Sequence, residues 1–185
     1  TFTDIIAVLG DGRVIGGKVP TVPEDQSVGF ADALRSYLPE DAVLADVVHG
    51  TTASINAILE RRTAPVGLLC TEGHPDVLDI RRMWRPHLFG NWWNRPRSLI
   101  PRRHRAEIPE RVDANGEVLV PLEEDAVRSA GRRLYEAGIR SFCVAYLNAY
   151  LNPVHEQRTR EVLLEELDCD QGVTVTLSTD ILPEI

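Results

Sequence analysis

Cysteine is scarce in this sequence: Cys70, Cys143 and Cys169 are odd in number, widely spaced and form no CxxC. That pattern excludes a disulfide framework and a cysteine zinc site, and it fits a reducing compartment, so a cytoplasmic location is expected. No apolar run approaches the roughly 18–20 residues of a membrane span, so no membrane association is expected. His49, His74, His87, His104 and His155 show no paired ligand spacing, which leaves no metal ligands to name. There is no G-x-S-x-G elbow, no low-complexity segment and no internal repeat. An initiator Met and a signal-peptide pattern are also missing, and the chain stops at Leu182-Pro183-Glu184-Ile185 without a tail. Both ends therefore read as cut, and the chain as a fragment of a larger subunit.

What is present is ordinary for a folded domain: 43% hydrophobic and 26% charged residues, in a length that suits one sizeable core, hence a single domain over 1–185. The net charge of −8 is unevenly spread. Residues 81–105 hold eight Arg and no Asp or Glu, so the remainder carries about −16. The same segment contains Trp84, Trp92 and Trp93. Basic plus aromatic residues suit nucleic acid, but the rest of the chain is acidic and no DNA- or RNA-binding motif occurs, so no nucleic-acid partner is expected. A partner interface, an Arg-lined lid over an anionic substrate and an internal Arg–carboxylate network stay open.

Residues 4–9 and 13–19 read as strands around the Gly10-Asp11-Gly12 turn, an antiparallel hairpin. Asp25 or Ser27 can cap a helix carrying Phe30, Leu34 and Leu38 inward. Residues 65–70 read as a buried strand, followed by Thr71-Glu72-Gly73 and a helix over 75–82. Prolines at 86, 96, 101 and 109 mark residues 83–121 as a loop-rich excursion, with a turn between short strands at 112–118. A helix over about 122–137 closes at Gly138, residues 141–147 form a strand, Asn152 can cap a helix with Pro153 at its first position, and 173–177 is the last strand. The pattern is α/β: a mixed sheet with an antiparallel opening hairpin and parallel crossover units.

The stretch most suited to a ligand is 46–62, read as a short strand (Val47, Val48), a turn at His49-Gly50-Thr51-Thr52 and a helix. Gly50 permits an unusual backbone angle, Thr51 or Thr52 can cap the helix, and Ile55, Ile58 and Leu59 fall at helical spacing. Thr52, Asn56 and Glu60 make a polar stripe four residues apart. Unpaired N–H groups leave such a turn toward an anion or a polarised carbonyl, whereas the plainer reading of the threonines is capping alone. His49 sits where α/β folds place ligands, or is a satisfied core histidine.

Taken in order, Thr1-Phe2-Thr3-Asp4, Lys18-Val19-Pro20-Thr21, His49-Gly50-Thr51-Thr52 with Asn56-Ala57 and Leu59-Glu60-Arg61-Arg62, Gly73 with Asp76-Val77-Leu78 and Arg81, Pro109-Glu110-Arg111-Val112, and Tyr150-Leu151-Asn152-Pro153 with His155-Glu156 resemble the N-terminal region of the hydantoinase A / 5-oxoprolinase family. The resemblance covers essentially the whole chain. It implies an actin-like ATPase (ribonuclease H-like) lobe and the use of ATP and Mg²⁺. The family's Asp-x-Gly-Gly segment, which precedes Thr-Phe-Thr-Asp, is absent here, so Thr1, Thr3 and Asp4 are carried over as remnants of a phosphate loop and this piece alone is not expected to hydrolyse ATP. The resemblance further implies a cyclic-amide hydrolase that phosphorylates a carbonyl before ring opening, working as a hetero-oligomer with a hydantoinase B-type subunit or domain. On this reading His49, Thr51 and Thr52 are catalytic and Asn56 meets the small-molecule substrate. A subunit of a ketone carboxylase of the acetone or acetophenone type, and a non-catalytic partner-docking module, are the alternatives.

Overall fold

The computed structural model of the chain describes residues 2–22, 25–39, 41–81, 96–167 and 172–184, without the side chains of Gln26 and Ala53. It divides into two compact units, Thr1–Thr51 and Thr52–Ile185. Thr1, Cys169 and the tryptophan-bearing part of the excursion, 82–95, lie outside the described residues.

In the first unit the Asp-Gly turn works as its sequence requires. Gly12 sits at φ +85°, a conformation that glycine adopts without a Cβ penalty. It joins β1 (Phe2–Val8) to β2 (Val14–Pro20), paired antiparallel with Ile5 opposite Gly17. Helix α1 (Gln26–Tyr37) starts at Asp25, whose carboxylate accepts from Ser27 N at 2.9 Å. It lies on the hairpin because Gly17 has no side chain: a Cβ there would stand 2.2 Å from the Tyr37 ring, whose hydroxyl bonds Lys18 N and O at 3.2 Å each. The apolar burial is thin, with Val19 and Ala33 the buried hydrophobic residues described in this unit, while Phe2, Ile6, Val8 and Val14 are exposed.

The short strand expected at Val47 and Val48 does not form. Val47 and Val48 supply β propensity, but no described strand runs beside them, and an unpaired strand leaves its backbone groups without a ladder. Val47 N turns instead to Asp46 Oδ1 at 2.8 Å, a local bond that competes with extended pairing, and Val48 is 93% exposed. Gly50 does not use its freedom: its φ is not in the left-handed region.

The second unit opens with α2 (Ala53–Leu59), whose Ile55, Ile58 and Leu59 are exposed rather than packed inward. Then come β3 (Val66–Thr71), α3 (Val77–Ile80), a 3₁₀ turn (Arg102–His104), β4 (Arg105–Ile108), the β5–β6 ribbon (Arg111–Val112, Val118–Val120), α4 (Glu124–Glu136), β7 (Ser141–Ala145), α5 (Val154–Glu166), β8 (Thr174–Leu177) and α6 (Ser178–Ile181). Strands β4, β3, β7 and β8 form one sheet in that order, every neighbouring pair parallel. The antiparallel hairpin and the parallel crossover units are both present as expected, the hairpin as a two-stranded sheet and the crossover strands in a four-stranded one. The excursion was expected to be loop-rich, yet it yields β4 at the sheet edge. Its Ala106 and Ile108 are buried while the intervening Glu107 is exposed, a half-buried alternation too short to stand out among prolines.

Val127, Ala130 and Leu134 of α4 and Val162 and Leu163 of α5 cover Leu69, Phe142, Val144 and Leu177 of the sheet. Gly131 lets the two helices close up, since a Cβ there would meet Leu163 Cδ2 at 2.7 Å. Helix α4 ends as its sequence predicts, with Gly138 at φ +87° and Ile139 N bonded to Leu134 O at 3.1 Å. Gly138→Ala meets no neighbour, so its expected cost of about 1–2 kcal/mol is backbone strain alone, read as a lower urea midpoint.

Candidate functional site

The sequence-chosen residues fall into three groups. On β1, successive side chains alternate between the two faces of the hairpin, so Thr3 and Asp4 diverge. Thr3 turns toward α1, with its hydroxyl 3.0 Å from that of Thr21 and 3.2 Å from where a Cβ on Gly29 would stand. Asp4 is exposed and pairs with Lys18 Nζ at 3.2 Å. Asp4 and Lys18 thus offer open charges that fit phosphates and a counter-ion, whereas Thr3 is spent on packing under α1. Thr1, the third residue expected on the nucleotide side, lies outside the described residues.

His49 is exposed, not a core histidine, and its ring tilts against Phe30 with centroids 5.3 Å apart. Thr51 is exposed as well. Thr52 occupies the N-cap position of α2, but with φ −101° and ψ 22° its side chain caps no helix N–H, since capping needs an extended residue there. Its hydroxyl instead accepts from Asn56 Nδ2 at 3.3 Å. The predicted polar stripe is real to that extent: Thr52 and Asn56 act as a pair, and Glu60 faces Arg62 at 3.6 Å.

Sequence reasoning assigned no role to a polar cluster at the C-terminal edge of the parallel sheet, where α/β folds bind ligands. Thr71 ends β3, Glu110 follows β4, and His155 and Glu156 open α5. Glu110 takes the Thr71 hydroxyl on Oε1 and stands 2.8 Å from His155 Nδ1 through Oε2, its side chain wholly buried. Glu156, equally buried, accepts four donors: Tyr146 N at 3.1 Å, Ser178 Oγ at 2.7 Å, Thr179 N at 3.2 Å and Thr179 Oγ1 at 2.8 Å. Tyr146 completes it, its hydroxyl 3.0 Å from Thr159 Oγ1, and burial pushes its phenol well above the usual range. The one sequence signal for these residues was their place in Pro109-Glu110-Arg111-Val112 and in His155-Glu156. Neighbouring asparagines pin the β5–β6 ribbon to the same edge: Asn148 Nδ2 donates to Val112 O and Asn152 Nδ2 to Gly116 O, each at 2.9 Å. Asn152 also does the expected capping, its Oδ1 accepting from Val154 N at 3.2 Å.

Burial pushes the Cys70 thiol up to about 11, reinforced by Glu107, and raises Cys143 too. Both strand cysteines are therefore inert packing groups. Two of the described arginines of the basic segment enter an internal network with carboxylates: Arg105 is buried and bonds Asp79 Oδ2 at 2.7 Å, and Arg102 pairs with Asp76. Among the described residues no helix is long and apolar enough to cross a membrane.

Residues 1–167 match a family model described as the hydantoinase/oxoprolinase N-terminal region. The acetophenone carboxylase gamma subunit of Aromatoleum aromaticum is 34% identical over 189 residues, covering 90% of this chain and 25% of its own length. Caprolactamase subunit alpha of Pseudomonas jessenii is 31% identical over 195 residues, covering 100% of this chain and 28% of its own. A crystal structure of the ATP-dependent caprolactamase from Pseudomonas jessenii superposes on the whole chain with a TM-score of 0.81 at 29% identity, over 28% of that chain. The chain thus spans about a quarter of the length of these relatives.

Proposed function

The chain belongs to the hydantoinase/oxoprolinase family, as its N-terminal region, and from that premise we propose that it forms the opening part of an ATP-dependent enzyme that phosphorylates the carbonyl oxygen of a cyclic amide before ring opening. The observation that carries this reading is the likeness, over the whole chain, to a caprolactamase described as ATP-dependent. The acetophenone carboxylase relative supports a second reading, carboxylation of a ketone through the same kind of activated oxygen. The two part on one requirement, since only the second consumes bicarbonate.

In this proposal the chain contributes one lobe of an actin-like fold, and ATP with Mg²⁺ supplies the phosphoryl group and its charge neutralisation. Thr1, Thr3 and Asp4 belong to the nucleotide side. Of the two described, Asp4 beside Lys18 suits it, and Thr3 serves by holding the hairpin under α1. His49, Thr51 and Thr52 belong to the substrate side with Asn56, whose amide orients the Thr52 hydroxyl. Phosphoryl transfer depends mainly on positioning and electrostatics, so hydroxyls and an imidazole suffice without a strong nucleophile. The working form is a hetero-oligomer with a hydantoinase B-type subunit or domain, in keeping with relatives named as subunits.

Thr51→Val with Thr52→Val in the full-length subunit and its partner tests the assignment. Both residues are exposed, so folding is expected to be unchanged, while substrate-stimulated ATP turnover falls at least about tenfold. Unchanged turnover removes the turn from the site, and dependence on bicarbonate replaces the amide reading with the ketone one.

A further inference from the structure

The hydrogen bonds around Glu110 have only one consistent direction. Leu147 N–H donates to Thr71 Oγ1 at 3.0 Å, so the Thr71 hydroxyl spends its own proton on Glu110 Oε1. Glu110 Oε2 lies 2.8 Å from His155 Nδ1 and, among the described residues, forms no ion pair with a Lys or Arg. A carboxylate can only accept, so Nδ1 carries a proton, and in the neutral tautomer with that proton it is Nε2 that holds the lone pair. Nε2 has no hydrogen-bond partner among the described residues, and the buried side-chain nitrogens there that lack one are His104 Nδ1 and Arg160 Nε. His155 is mostly buried, with 8% of its side chain exposed, and its Nε2 is the unbonded end of the ring. A buried carboxylate fixing the tautomer of an imidazole whose far nitrogen is unbonded is the arrangement by which a histidine serves as a base. Other titratable groups in the cluster do not compete. Glu156 is saturated by four donors, and Tyr146 keeps its proton because burial disfavours the phenolate.

We propose that Glu110 and His155 form an acid–base dyad for the reaction, His155 Nε2 taking the proton from the ring nitrogen of the amide as its carbonyl oxygen becomes phosphorylated. This rests on the ring-opening reading above. The N–H bond breaks and its proton goes to Nε2. Its electron pair closes a C=N bond, the carbonyl oxygen bonds to the γ-phosphorus of the nucleoside triphosphate, and the P–O bond to the diphosphate breaks. Glu110 is the positioning residue, stabilising the imidazolium that results. Thr71 and the Leu147 amide hold Glu110 in turn. The residues come from the ends of β3, β4 and β7 and the first turn of α5, so the parallel sheet itself sets the geometry.

The test uses the full-length subunit with its partner, assayed for ATP turnover with cyclic amides. His155→Ala is expected to lower kcat by about 10²–10⁴-fold, with added imidazole restoring part of the loss, a recovery that a structural histidine would not show. In the ¹⁵N-histidine-labelled wild-type assembly, the His155 resonances are expected to report a protonated Nδ1 and a bare Nε2, and Glu110→Gln to abolish that preference. A proton on Nε2 in the wild type, or an unrescued His155→Ala protein with a wild-type far-ultraviolet spectrum, overturns the dyad. Absence of cyclic-amide-stimulated turnover in the wild type sinks the ring-opening reading instead, and with it the proton acceptor's task.

Discussion

Glu156→Ala is expected to destabilise the chain by about 3–5 kcal/mol, among the largest effects of any single substitution. The glutamate has four lone-pair positions and four donors fill them, two backbone N–H groups and two hydroxyls. Alanine leaves all four without the acceptor that the wholly buried Glu156 side chain supplies. The two hydroxyls can rotate toward other partners, but the N–H groups of Tyr146 and Thr179 cannot. Glutamine separates acceptor count from shape. Tyr146 N faces one carboxylate oxygen and Thr179 N the other, so either orientation of the amide sets its NH₂ against a backbone donor. Glu156→Gln is therefore expected to lose roughly 2 kcal/mol rather than to be silent. Urea denaturation followed by circular dichroism reads both, and a Glu156→Ala midpoint within error of wild type would show that the carboxylate does not tie β7, α5 and α6 together.

The second large effect is expected at Arg105, whose side chain is 2% exposed. Its guanidinium donates to Ile100 O at 3.1 and 2.9 Å, to Pro75 O at 2.6 Å and to Asp79 Oδ2 at 2.7 Å. Arg105→Met keeps the length and apolar stem while removing every donor, which takes the guanidinium from the Asp79 carboxylate and from the carbonyls of Pro75 and Ile100; a loss of about 3–5 kcal/mol is expected. Arg105→Lys keeps the charge but not the planar fork that reaches three directions at once, and is expected to fall between. The consequence is also local, because Arg105 is the residue that ties 100 to the α3 turn. Limited proteolysis of Arg105→Met is expected to open new cleavage near residues 96–104 before the sheet unfolds, and equal protease resistance of mutant and wild type would contradict that role.

Much of this architecture was legible from local chemistry. Gly12 and Gly138 sit where positive φ is needed, Asp25 and Asn152 are placed to accept helix N–H groups, and the spacing of Val127, Ala130 and Leu134 names the buried face of α4. Such features are written in contiguous residues because the interactions that enforce them span a few positions. The misses have the opposite character. Val47 and Val48 have strand propensity, but a strand exists only where another lies beside it, and no residue within 46–49 records that partner. Arg105–Ile108 lay in a proline-broken, basic stretch and became an edge strand because β3 offered a free parallel edge.

The candidate site divides along the same line. The turn at His49 to Thr52 was picked out by residue type, and it is exposed, polar and organised through Thr52 and Asn56. The Glu110–His155 pair, separated by 45 residues, could be recognised only as pieces of family-like motifs. By itself the sequence determined the hairpin, the helix caps, the inert cysteines and the family to which the chain belongs. Only the tertiary structure decided that Thr3 and Asp4 face opposite ways and that Glu110 has its proton donors in Thr71 and His155. Side-chain direction along a strand and the meeting of distant strand ends follow from the sheet's pleat and its order, β4-β3-β7-β8, and those are properties of the assembled sheet, not of any segment within it.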